Sequence, residues 1–233
     1  MEPSSRRAFV FSLFALPLTT HAGVLDKAKA VKENLDKAAN APVRVPGLSK
    51  QILESKEDLR RILAAFRKKI GSDPLMVYGV GLNWTNVMTV TYQNRYNPEK
   101  LEMLSLSKGE IEGKPRPFKL IGQNVKVVDN VFDFGKVNFE AIPDLLKIAR
   151  EKTSAETKGK KTLGASAKVV QFWTTGQPTQ VRIVITVAAD DKSASQLVGE
   201  ALTSLADDST AKGSSVGQLI ADASGKVLGF KLK

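Results

Sequence analysis

The stretch SKEDLRRILAAFRKKIGSDPLMVYGVGLNWTNVMTVTYQ, residues 55–93, passes from a helical period to an extended one. A helix beginning at Ser49 or Ser55 and running to about Ile70 places Ile52, Leu59, Ile62, Leu63, Phe66 and Ile70 on one face. Lys56, Arg60, Arg61, Arg67 and Lys68 fall on the other. Ser55 with Asp58 three residues on has the spacing of a capping box, and Gly71 with Pro74 supplies the stop. Extended runs follow at Leu75–Leu82, Val87–Gln93, Leu101–Leu106 and around Ile111. They are separated by Asn83-Trp84-Thr85-Asn86, Asn94-Arg95-Tyr96-Asn97-Pro98 and Lys108-Gly109, all with turn chemistry. A helix followed by a strand meander is the order of an α+β fold.

The same order recurs further on. After a bridging stretch, Phe118 to Phe134, expected to hold another strand or two, residues 141–150 read as a helix that tolerates Pro143 in its first turn. Lys168–Trp173 and Val181–Val187 read as strands, and Gln218–Ala223 with Val227–Leu232 as a hairpin around Ser224-Gly225. Side by side, Asp58-Leu59 falls against Asp144-Leu145 and Trp84-Thr85 against Trp173-Thr174. Residues 108–113 fall against 224–229, with an insertion between about Asp190 and Lys212 that holds a helical pattern at Ser195–Leu205. This is the pattern of a divergent internal duplication. The expectation is two related α+β units, 51–134 and 135–233, each a helix packed on its own antiparallel sheet. They follow a short N-terminal helix and linker at residues 23–50.

The chain opens with Arg6-Arg7, the apolar run Ala8–Leu18 and Thr20-His21-Ala22, the three regions of a signal peptide, with cleavage expected after Ala22. The run is too short, and too interrupted by Pro17, to span a bilayer. Ser5-Arg6-Arg7-Ala8-Phe9 approaches a twin-arginine signal, so either that route or the general secretory one leads to the periplasm or outside the cell. Loss of Arg6, Arg7 and Glu2 takes 35 basic and 24 acidic residues to 33 and 23, a net charge of about +10. Anionic partners are favoured by that balance.

The hairpin Ile220-Ala221-Asp222-Ala223-Ser224-Gly225-Lys226-Val227-Leu228 resembles the closing hairpin of PepSY-like domains, and Phe139–Leu146 is similar to the start of their helix. A tandem of such units resembles the beta-lactamase-inhibitor-like proteins. The likeness covers residues 50–233 and is clearest in the second half. It implies a noncatalytic envelope module that binds or restrains another protein. No inhibitory residue matches position by position, so none is carried over.

The sole histidine, His21, would leave with the signal, and there is no cysteine. The mature chain therefore lacks Ser-His-Asp and Cys-His catalysis and the usual zinc, copper and haem ligands, and no cofactor is expected. Asp190-Asp191 and Asp207-Asp208 sit in polar sequence with nothing apolar to raise a pKa, as solvated loop acids do. Binding has three candidate signals. Trp84 and Trp173 stand at hairpin turns, as interface anchors or as lids on their own cores. Tyr92, Arg95 and Tyr96 mix a cation with aromatics, a combination found at both protein and single-strand nucleic-acid surfaces. Lys114, Arg116 and Lys119, and separately Lys158, Lys160 and Lys161, are basic loops suited to an anionic lipid, polysaccharide or nucleic acid, the last least expected, or to solvation alone. An exported binding protein with an envelope or extracellular protein as partner is the leading expectation, and a module for an anionic envelope polymer or lipid is the alternative.

Overall fold

The computed structural model describes residues 29–34, 37, 40–120, 126–172, 180–189 and 216–232. The expected signal segment, Trp173, the Ser195–Leu205 pattern and the acids Asp190, Asp191, Asp207 and Asp208 lie outside the described residues. The chain divides into two compact units, Met1–Ala39 and Asn40–Lys233. In the first, residues 29–34 are helical and exposed, and Lys37 pairs with Glu33 at 2.9 Å.

In the second unit, helix α1 spans Lys56–Ile70. The Ser55 side chain accepts from the Asp58 amide at 3.1 Å, and Gly71 ends the helix in the left-handed region at φ 67, where a side chain would be strained. The capping box stays half made. Instead of reaching back to Ser55, the Asp58 carboxylate accepts from the Ser49 amide at 2.9 Å and from Arg61, which also donates to the Pro46 and Gly47 carbonyls. Asp58 thereby clasps the incoming linker to the helix. Helix α2 spans Ile142–Glu156 with Pro143 in its first turn.

The strands are β1 (Val43–Arg44), β2 (Met76–Asn83), β3 (Met88–Asn94), β4 (Asn97–Ser107), β5 (Glu110–Ile111), β6 (Arg116–Phe118), β7 (Phe132–Asp133), β8 (Gly164–Phe172), β9 (Gln180–Ala188), β10 (Val216–Asp222) and β11 (Val227–Leu232). They form one sheet in the order β1-β5-β4-β3-β2-β8-β9-β10-β11, with β6 beside β4 and β7 beside β2, and every pairing is antiparallel. The expectation of two units with separate sheets is thereby corrected: the molecule is mainly β and built on a single sheet. The join is the β2–β8 pair, in register from Gly79↔Val170 to Asn83↔Ser166. Each half brings a helix and then strands that run outward from this pair, so an inner edge left open by either half is satisfied by the other.

Both helices share one core. Leu59, Ile62 and Phe66 of α1 and Leu145, Leu146 and Ala149 of α2 belong to one apolar cluster with Val80, Leu82, Val90, Ile183, Ile185 and Leu219 of the strands, and Leu63 packs against it partly buried. The seam between the helices is ionic. Glu54, in the turn before α1, accepts from Arg150 of α2 at 2.7 Å, while Glu140, in the turn before α2, accepts from Arg60 of α1 at 2.8 Å. Strand alternation turns Thr89, Thr91, Ser105, Ser166, Thr186 and Gln218 to the side away from this core, and these polar residues are buried as well. Among the described residues no helix is long and apolar enough to cross a membrane.

Candidate functional site

Three hairpin turns are organised by one device, a short polar side chain at the end of the incoming strand. At β2–β3 the Asn83 carbonyl oxygen accepts from the Thr85 and Val87 amides, both at 3.1 Å, and from the Thr85 hydroxyl at 2.7 Å. At β3–β4 the Asn94 oxygen accepts from the Tyr96 amide at 2.8 Å and the Asn97 amide at 2.9 Å. At β10–β11 the Asp222 carboxylate accepts from the Ser224 amide and hydroxyl and from the Lys226 amide; these bonds, Ser224 foremost, hold its pKa below the usual aspartate value.

The β3–β4 turn presents the strongest candidate surface. Tyr96 is 80% exposed, and the Arg95 guanidinium lies 4.4 Å from the centre of its ring. That guanidinium is fixed from two sides: it donates to the Gly71 carbonyl at 3.2 Å and to the Tyr96 hydroxyl. The end of α1 and the turn thus meet across a cleft of about 370 Å³ lined by Gly71, Ser72, Asp73, Pro74, Met76, Gln93, Arg95 and Tyr96. The sequence singled out Arg95 and Tyr96. It gave Gly71 and Pro74 only as helix-stop signals, because nothing in their local pattern says that the β3–β4 turn folds back onto them.

Tyr92 does not join this surface. Its ring points into the core at 4% exposure, opposite Glu102 across β3–β4. Burial first, and the Glu102 carboxylate second, push its phenol pKa up, so it stays neutral. It stands two positions after Val90 and four after Met88, and strand alternation sets all three on the inner face.

Trp84 lies at the opposite end of the sheet, 37% exposed, with its amide donating to the Ala165 carbonyl at 2.9 Å. Strand β3 intervenes, and its seven residues span about 20 Å between the two turns. Trp173 lies outside the described residues; Phe172 and Gln180, on either side of residues 173–179, pair with one another at the Tyr96 end. The antiparallel β2–β8 join sets the end of β8 beside the start of β2, at the other end of the sheet from Trp84.

The basic residues also separate. Arg116 pairs with Glu112 at 3.2 Å and donates to the Ser105 hydroxyl at 2.9 Å, so its charge is committed. Lys114 and Lys119 are exposed beside β4, whereas Lys158, Lys160 and Lys161 are exposed on the loop that enters β8. Strands β3 and β2 lie between β4 and β8, a separation of about 14 Å. Among the described residues no group of three or more histidines, cysteines, aspartates and glutamates is placed to hold a metal ion. Comparison with protein-family models, with curated proteins and with solved structures found no match.

Proposed function

We propose that this chain is an exported, noncatalytic binding protein that engages an envelope or extracellular protein through the turn bearing Arg95 and Tyr96. The observation that carries the reading is a large aromatic ring left 80% exposed yet held in place beside a cleft. Tyrosine and arginine are enriched among residues that dominate interfaces, and a side chain fixed before contact loses little further freedom on binding. The side-chain inventory supports the noncatalytic part, since His21 is the only histidine and cysteine is absent. The opening residues support export, and the excess of basic residues favours a partner with an acidic surface. The likeness of residues 220–228 to PepSY-like hairpins points to the same class by motif. A single polyanion groove has less support, because the two basic loops sit on different parts of the sheet.

The test is capture from an envelope extract with the unaltered chain and with Tyr96→Ala, each also melted alone. A partner whose capture falls about 30-fold with Tyr96→Ala, at an unchanged Tm, is the expected result. Equal capture by both chains would remove the turn as the site.

A further inference from the structure

The far end of the sheet, around Trp84, carries a second surface of different chemistry. The topology gathers there several lysines that are distant in sequence. Lys108 is in the β4–β5 turn, and the pairing of Met88 with Leu106 sets that turn beside the start of β3. Lys50 is brought in by Asn86, whose amide nitrogen donates to the Lys50 carbonyl at 2.7 Å while its oxygen accepts from Ile52 at 2.9 Å. Lys158, Lys160 and Lys161 follow α2, which reaches this end because Thr153 packs on Gly217 at the start of β10. All of these lysines are exposed, and none takes part in an ion pair among the described residues. Among the described residues the nearby acids are fewer: Glu54 is bound to Arg150, Glu110 stands opposite Arg44 across β1–β5, and Glu156 is exposed near the end of α2.

Among the lysines stand two exposed apolar residues. Trp84 is 37% exposed and Leu163 is 42% exposed. The hydrogen bond from the Trp84 amide to Ala165 sets the tryptophan turn beside the strand that Leu163 leads into, and the Leu163 amide is itself fixed on the Ala188 carbonyl at 2.8 Å. An indole and an aliphatic side chain among exposed lysines match the layering of a bilayer surface, where indoles settle at headgroup depth and lysines meet lipid phosphates.

We propose that this end of the sheet docks peripherally on an anionic lipid bilayer, with Trp84 and Leu163 entering the interface and Lys50, Lys108, Lys158, Lys160 and Lys161 contacting headgroups. A soluble polyanion would use the lysines but leave the indole in water. The surface lies opposite the Arg95–Tyr96 turn, so membrane contact leaves that turn free, and the inference stands or falls independently of the protein-binding reading.

The test uses the chain from Gly23, the form expected after export, with phosphatidylglycerol–phosphatidylcholine vesicles and with phosphatidylcholine vesicles. Expected are co-sedimentation with the anionic vesicles alone, weakening with salt, and a loss of at least about tenfold in Lys158→Glu/Lys160→Glu/Lys161→Glu. In Trp173→Phe the fluorescence reports Trp84 only, and brominated acyl chains should quench it. Sedimentation of the unaltered chain remains decisive if that variant fails to fold. The 190–215 connection carries Asp190, Asp191, Asp207 and Asp208. If these acids neutralised the lysines, no vesicle binding would occur even at low salt, and the proposal would be overturned. Binding without quenching would overturn it as well, in favour of a purely electrostatic contact.

Discussion

Asp58 is 2% exposed and still charged, because every demand of its carboxylate is met by a donor. Burial alone would raise its pKa; the Ser49 hydrogen bonds and Arg61 outweigh that and bring it below the ordinary 3.8. A depressed carboxylate stabilises the fold above its unfolded pKa, and that contribution disappears as pH falls through the lower folded value. Asp58→Asn should therefore cost about 1–3 kcal/mol at neutral pH and give a shallower loss of stability below pH 3.8, read by urea denaturation across an acid series. Gly217 makes a steric counterpart. A Cβ there would lie 1.9 Å from the Thr153 hydroxyl oxygen, at the contact between β10 and α2. Gly217→Ala should destabilise by about 1–3 kcal/mol in the same assay, since neither element can retreat without opening the shared core.

At the scale of elements, the two helices are held by forces of unequal size. Phe66 of α1 is fully buried, and Phe66→Ala should cost about 3–5 kcal/mol through lost transfer energy and the cavity left behind. The reciprocal ion pairs along the seam, Glu54–Arg150 and Glu140–Arg60, are solvated at both partners, so a double-mutant cycle on Glu54–Arg150 should return about 0.2–1 kcal/mol. Their value is in register. Each joins the turn before one helix to the body of the other, which fixes how far the antiparallel helices overlap. The start and stop of α1, the start of α2, the Asn83 and Asn94 turns and the Asp222 turn were readable in sequence, because each depends on residues within a few positions of one another, whereas α2 runs on to Glu156, past the expected end at Arg150. Tyr92 was misplaced for the complementary reason: a turn signal nearby says nothing about which face of the strand its side chain takes.

For the whole molecule, one sheet and one core imply one folding unit. Residues 40–233 should unfold in a single transition, with near- and far-ultraviolet circular dichroism coincident in urea. The separate segments 40–134 and 135–233 should each remain unfolded, because cutting between them exposes the β2 and β8 edges and splits the apolar cluster that α1 and α2 share. Two resolved transitions, or a stable half, would contradict the single-sheet description.

The amino-acid sequence by itself determined the local grammar of this protein. Apolar period set the helices and strands, short polar side chains set the turns, and the residue inventory held one histidine and no cysteine. Arg95 and Tyr96 were visible as a pair because they are neighbours in the chain. Partnership between distant edges was decided only by the tertiary structure. Period-2 alternation gives the face a strand buries but not the strand beside it, and both edges of β2 offer equivalent backbone donors and acceptors. Which edge met β8, and in which direction, joined the two halves into one sheet. The Trp84 and Tyr96 turns are opposite because they close the two ends of β3, but the β2–β8 choice set Trp84 beside Ala165 and gave α1 and α2 a common core, so the surface around Trp84 was positioned by long-range backbone pairing that no local pattern encodes.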